Sequence, residues 1–227
     1  MYKILDRSAL IYLAIIFVGL GFVATWLIVW PETMTEWIRV VFTLPAAVGM
    51  LTFAIGGTRA WRWIWKKFPV LNMQVFPDLN GVWKTEMASN IKAIAEYHPE
   101  LIELDTAKIN SVILGEFKIK QNWFGINIRF DGEDDYSNSD TIFVLPQRDK
   151  ETGRLYLTYV FRNLTPDNAA SDEQTHMGAA RVEISDRDGF RVMRGYYWTN
   201  RNWKRGLNTA GSITVTKSEN ALSENSG

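Results

Sequence analysis

The chain has 227 residues, 47% of them hydrophobic, with 25 basic and 25 acidic side chains and a formal net charge of zero. It has no cysteine, which excludes disulfides and thiol catalysis, and its two histidines, His98 and His176, are too few for a multi-histidine metal site. Residues 1–67 hold 7 of the basic and 3 of the acidic side chains, leaving 18 and 22 for the rest. A domain with that acidic excess is no general binder of DNA or RNA, so an anion would be taken in a local pocket.

Two uncharged runs come first, Ala9–Trp30 (22 residues) and Val40–Gly57 (18 residues). A hydrocarbon core needs roughly 20 apolar residues at a rise of about 1.5 Å each, so residues 1–67 read as a two-helix transmembrane hairpin with Pro31–Arg39 as its connecting turn. A cleaved signal peptide is disfavoured: the first run is long, no small-x-small cleavage site follows it, and a second span does. Lys3 and Arg7 precede the first span, and Arg59, Arg62, Lys66 and Lys67 follow the second. By the positive-inside rule both termini are cytoplasmic and the turn faces outward, a multi-pass arrangement. Trp61, Trp63 and Trp65, interleaved with basic residues, read as an interfacial belt, and Trp26, Trp30 and Trp37 as the opposite one. Gly19, Gly21, Gly49, Gly56 and Gly57 would let helices approach closely. Spans without ionisable groups disfavour an ion-coupled transporter and leave an anchor or a self-associating element.

A linker over residues 68–77 leads into a different pattern. From Leu79 the apolar period becomes two, the strand signature. Leu79–Thr85, Phe117–Trp123, Ile126–Phe130, Ser139–Leu145, Leu155–Asn163, His176–Ile184, Phe190–Arg201 and Gly211–Val215 each show alternation. Eight strands with one apolar face and little helix between them predict an all-β domain over residues 78–217, an antiparallel up-and-down barrel whose closure removes exposed edges. A two-sheet sandwich is the alternative. Residues 88–112 read as a helix-bearing insertion over one end, and residues 218–227 as a disordered tail.

Tracing the strands up and down places the short connections at the end where the chain enters and the long ones at the other. The inward positions nearest the long-loop end are Thr85, Ser139, Thr141, Asn163, His176, Thr199 and Arg201, nearly all polar. Leu157, Val182, Ile128 and Val215 lie deeper. Polar groups over an apolar floor describe a ligand cup. Arg201 is the sharpest of these residues. An inward arginine must be paired or serve an anion, so it is either a phosphate clamp or an ion-pair partner of Asp131, Glu133 or Asp135. Thr199 offers a hydroxyl beside it. Tyr159 and Tyr197 are either base-stacking surfaces or core. Trp83 and Trp123 read as core, and Gln121 falls at the wrong end. Asp134 and Asp135 read as a solvated turn. No nucleophile–base pair, glycine-rich phosphate loop or paired carboxylate is evident, so the sequence does not read as an enzyme and calls for no cofactor.

Two membrane spans, then Leu79-Asn-Gly-Val-Trp83, then Gly195-x-Tyr197-x-Thr199-x-Arg201 with a later Gly211-x-Ile213, together resemble the two-transmembrane β-barrel effectors of bacterial CBASS anti-phage defence. His176-x-Gly178 and Tyr159-x-Phe161-x-Asn163 fit the same pattern. The Ala88–Val112 insertion and the ten-residue spacing from Arg201 to Gly211 depart from it. The resemblance implies a barrel that receives a cyclic dinucleotide from a partner nucleotidyltransferase. Binding would drive homo-oligomerisation of the membrane helices, disruption of the inner membrane and abortive infection. The competing expectation is a membrane-anchored, lipocalin-like carrier of a lipid or other apolar molecule.

Overall fold

The computed structural model describes residues 7–28, 31–98, 110–133, 137–165, 173–187 and 190–217. Lys3, Trp30, Asp134, Asp135 and the tail from 218 lie outside these residues. By contacts the chain divides into a helical unit, residues 1–78 with Asn122–Phe124, and a second unit holding the remainder.

The helical unit contains α1 (Arg7–Ile28), α2 (Met34–Gly57), α3 (Ala60–Lys67) and α4 (Val70–Gln74). The connecting turn is shorter than the sequence predicts because α2 starts at Met34, with Glu36 and Arg39 inside the helix. A capping box fixes that start: the Glu36 N–H donates to Thr33 Oγ1 at 3.3 Å, and Glu36 Oε2 accepts from the Thr33 N–H at 3.3 Å. Among the described residues α2 is long and apolar enough to cross a membrane, while the apolar part of α1 runs over Ala14–Leu27. This favours membrane association. Gly21 faces the Leu44 side chain and Gly56 faces Trp123, whereas Gly19 and Gly49 face open space. The tryptophan belt needs correction. Trp61 and Trp65 stand one helical turn apart on α3 and are buried at 1% and 6% exposure, leaving Trp63 outside. Their rings meet edge-on at 5.3 Å, Trp65 meets Trp123 at 5.6 Å, and Trp65 Nε1 donates to the Phe76 carbonyl at 2.8 Å. Trp123 is therefore part of the helical unit rather than of a strand.

The second unit is a closed antiparallel barrel of β1 (Gly81–Ser89), β2 (Val112–Gln121), β3 (Ile126–Gly132), β4 (Asn138–Arg148), β5 (Leu155–Leu164), β6 (Thr175–Arg187), β7 (Phe190–Thr199) and β8 (Ala210–Lys217), each paired with its chain neighbour and β1 with β8. A short helix, α5 (Ile91–Tyr97), follows β1 and buries Ile94 and Ala95. Alternation puts Trp83, Phe117, Ile119, Ile128, Phe130, Leu157, Val182, Ile213 and Val215 into the core. At the chain-entry end Gln121 closes the barrel: Oε1 accepts from the Leu79 N–H at 2.7 Å, and its backbone exchanges hydrogen bonds with the Asn80 side chain. Strand β4 departs from the sequence reading. A bulge between Thr141 and Phe143 shifts the alternation, so Val144 and Pro146 turn inward while Ile142 and Phe143 are exposed.

Candidate functional site

Cross-strand register stacks the interior into rungs. The lower ones are apolar, as in Pro146–Leu157–Val182–Gly195–Ile213. The next holds Val144, Tyr159, Ala180, Tyr197 and Gly211. Above it come Thr141, Phe161, Gly178 and Thr199, then Ser139, Asn163 and His176. Along β4 to β7 the inward positions thus change from apolar to polar over these upper rungs. That boundary defines the cup.

The upper rungs are hydrogen-bonded into a collar. Asn163 Nδ2 donates to Ser137 Oγ at 2.6 Å, and Thr165 Oγ1 donates to Asn163 Oδ1 at 3.3 Å. The Thr199 and Thr209 hydroxyls lie 2.8 Å apart, and the Thr199 oxygen also accepts from the Arg201 N–H at 3.3 Å. Thr141 Oγ1 accepts from the Ile128 N–H at 2.9 Å, so it mends the β3–β4 ladder where the bulge disturbs it. Asn163, Thr165, His176, Thr199 and Thr209 are buried, and Ser139 and Thr141 are half-buried.

Two of the expected site residues sit differently from the sequence reading, and the tyrosines take the buried alternative it allowed. Arg201 is not on a strand: β7 ends at Thr199, and the half-buried Arg201 begins the β7–β8 turn. There Asn202 takes a left-handed backbone, φ 47°, and the chain makes a 3-10 turn over Trp203–Arg205. Asp131 is not its partner, since Lys118 Nζ and Arg129 Nε hold that carboxylate at 2.7 and 2.8 Å. Thr85 is mid-strand rather than at the rim, with Met87 and Ser89 beyond it, and its buried hydroxyl makes no hydrogen bond among the described residues. Tyr159 is wholly buried. Its ring meets Phe117 edge-on at 6.2 Å and Phe161 at 6.1 Å, and burial pushes its hydroxyl pKa far up. Tyr197 is buried at 6% exposure. Burial raises its pKa most, while Ser89 and the positive charge of Arg201 act in the opposite direction.

Ser137, Thr165 and Thr209 escape strand alternation because they lie in the connections just outside the strands. Thr165 could have been found by continuing the inward parity of β5 two residues past Asn163.

Two comparisons bear on this arrangement. The sequence model described as the Cap15 cyclic dinucleotide receptor domain matches residues 74–217, the whole barrel and its approach. Over 172 residues the chain is 28% identical to CD-NTase-associated protein 15 of Escherichia albertii, covering 75% of this chain and 76% of that protein.

Proposed function

The chain belongs to the Cap15 cyclic dinucleotide receptor domain family, and from that premise we propose that it is a CBASS effector whose barrel binds a cyclic dinucleotide in its upper cup. The observation that carries this reading is the division of the interior between an apolar floor ending at Tyr159 and a collar of hydroxyl, amide and imidazole groups above it. A ligand with two flat bases and two phosphates offers both an apolar face and many acceptors. Arg201, at the mouth, supplies the forked cation that a phosphate oxygen pair accepts. Ser139, Asn163, His176, Thr199 and Tyr197 form the surrounding wall, with Thr141 and Thr85 as supports of the barrel beneath.

In this reading residues 1–67 form the membrane element, 68–77 the linker and 78–217 the receptor. Lys3, Arg7 and the basic cluster from Arg59 to Lys67 keep both termini in the cytoplasm of a bacterial inner-membrane protein. The nucleotide comes from a partner nucleotidyltransferase. Its binding drives homo-oligomerisation of the helices, and the assembled helices disrupt the inner membrane. The uncharged runs Ala9–Trp30 and Val40–Gly57 support action by association in lipid rather than by ion transport.

The test is a thermal-shift and calorimetric screen of the full chain in detergent against a panel of cyclic dinucleotides. A ligand that binds only the folded state stabilises it by about 2.7 kcal/mol at a hundred times its dissociation constant. A selective shift supports the receptor. Copurifying lipid with no nucleotide response favours an apolar carrier instead.

A further inference from the structure

The aromatic rings that point into the barrel are not equivalent. Trp83, Phe117, Phe130, Tyr159 and Tyr197 are each 6% exposed or less. Phe161 shares their inward parity, between Thr141 and Gly178 in register, yet it stays part-exposed. The barrel's own packing therefore leaves this one inward ring partly uncovered. Its position depends on Gly178. A Cβ there would run into the Phe161 ring, so the glycine lets the ring lie back against β6 and keeps the lumen clear. Tyr159 supports the ring from below at 6.1 Å with the two planes tilted by 45°. Thr141 and Thr199 flank it on its own rung, and Asn163 and His176 stand on the next.

We propose that Phe161 is the surface on which one nucleobase of the bound cyclic dinucleotide stacks, with Gly178 setting the depth of that stack. The inference rests on the receptor reading above and specifies which aromatic residue serves it. The ring packs over Gly178 and meets Tyr159 at a tilt, and the next rung carries Ser139, Asn163 and His176 of the polar collar. Stacking covers exposed aromatic surface without calling on the collar groups.

The experiment uses full-length protein in detergent and the panel member that wild type binds, together with the same nucleotide carrying 2-aminopurine, whose fluorescence is quenched on stacking. Wild type should quench the probe. Phe161→Leu, which keeps apolar volume without an aromatic face, should bind about ten- to a hundred-fold more weakly and lose the quench. Phe161→Trp should keep both. Gly178→Ala, which pushes the ring into the lumen, should weaken binding while the ring remains present. Thermal melts report whether each variant folds, and the wild-type quench needs no variant. A bound probe that stays bright, or Phe161→Leu binding within two-fold of wild type, overturns the stack and leaves the receptor standing. Wild type that binds no member of the panel overturns the receptor reading, and the stack with it.

Discussion

Asn163 Nδ2 donates to Ser137 Oγ across 2.6 Å, tying the upper end of β5 to the turn that enters β4. The same side chain accepts from Thr165 at 3.3 Å. One amide therefore braces two of the long loops that frame the cup. Asn163→Ala removes the acceptor of a buried hydroxyl, and it should destabilise the protein by about 1–3 kcal/mol. Chemical denaturation of the wild type and the variant checks this. An unchanged midpoint would mean the collar is not under load.

Arg201 stands in a turn rather than a strand, so its removal leaves the barrel ladder intact. Arg201→Ala should keep the melting temperature within a few degrees while weakening cyclic dinucleotide binding by about ten-fold or more, the scale of a lost charge-assisted hydrogen bond. Arg201→Lys should recover part of the affinity, since it keeps the charge but not the fork. Calorimetry on the three proteins separates clamp from bystander.

Asp131 is held on the outer face by Lys118 and Arg129, and their hydrogen bonds and charges lower its pKa. A carboxylate with a lowered folded-state pKa contributes stability that is fully present above its unfolded value, about 3.9, and is lost as pH falls through the folded value. Asp131→Asn should therefore be slightly less stable than wild type at neutral pH, by about 1 kcal/mol or less for a pair this near the surface. The difference should vanish in strong acid. Denaturation at pH 7 and pH 2 gives both points.

Leu51 lies within α2 and is 62% exposed. If α2 crosses the bilayer, Leu51→Arg places a charge within the span at a cost of about 2.5–3.5 kcal/mol on insertion scales. Less of the protein should then sediment with membranes. Equal partitioning of wild type and variant would count against α2 as a spanning helix.

Leu157 is fully buried on a lower rung between Pro146 and Val182. Leu157→Ala should cost about 2–5 kcal/mol. Because the floor lies below the collar, ligand affinity per folded molecule should change much less than stability does.

Much of this fold is legible in the chain itself. The two long uncharged runs, the switch to a period of two after Leu79 and the alternation through eight segments come from local rules: rise per residue for helices and the alternating Cβ direction for strands. These rules place Leu157, Val182 and Val215 inside and Gln121 at the closed end. They also bring Asn163, His176 and Thr199 to the upper rungs, because parity and direction are carried along the strand.

Depth, exposure and interruption are not carried along the strand. The bulge after Thr141 reverses the parity of β4, and only the pairing with β5 reveals it. Tyr159 and Phe161 have the same parity and similar side chains, yet one is sealed between Phe117 and its neighbour while the other meets solvent. Trp61 and Trp65 read as interfacial until α3 turns them both to one side. The sequence by itself determined which residues share a face wherever a strand runs unbroken, and in which order the strands run, since those follow from backbone geometry a few residues at a time. Only the tertiary structure decided which inward groups are spent on the barrel and which face the cup, since closure brings together residues far apart in the chain and their mutual packing sets what remains open.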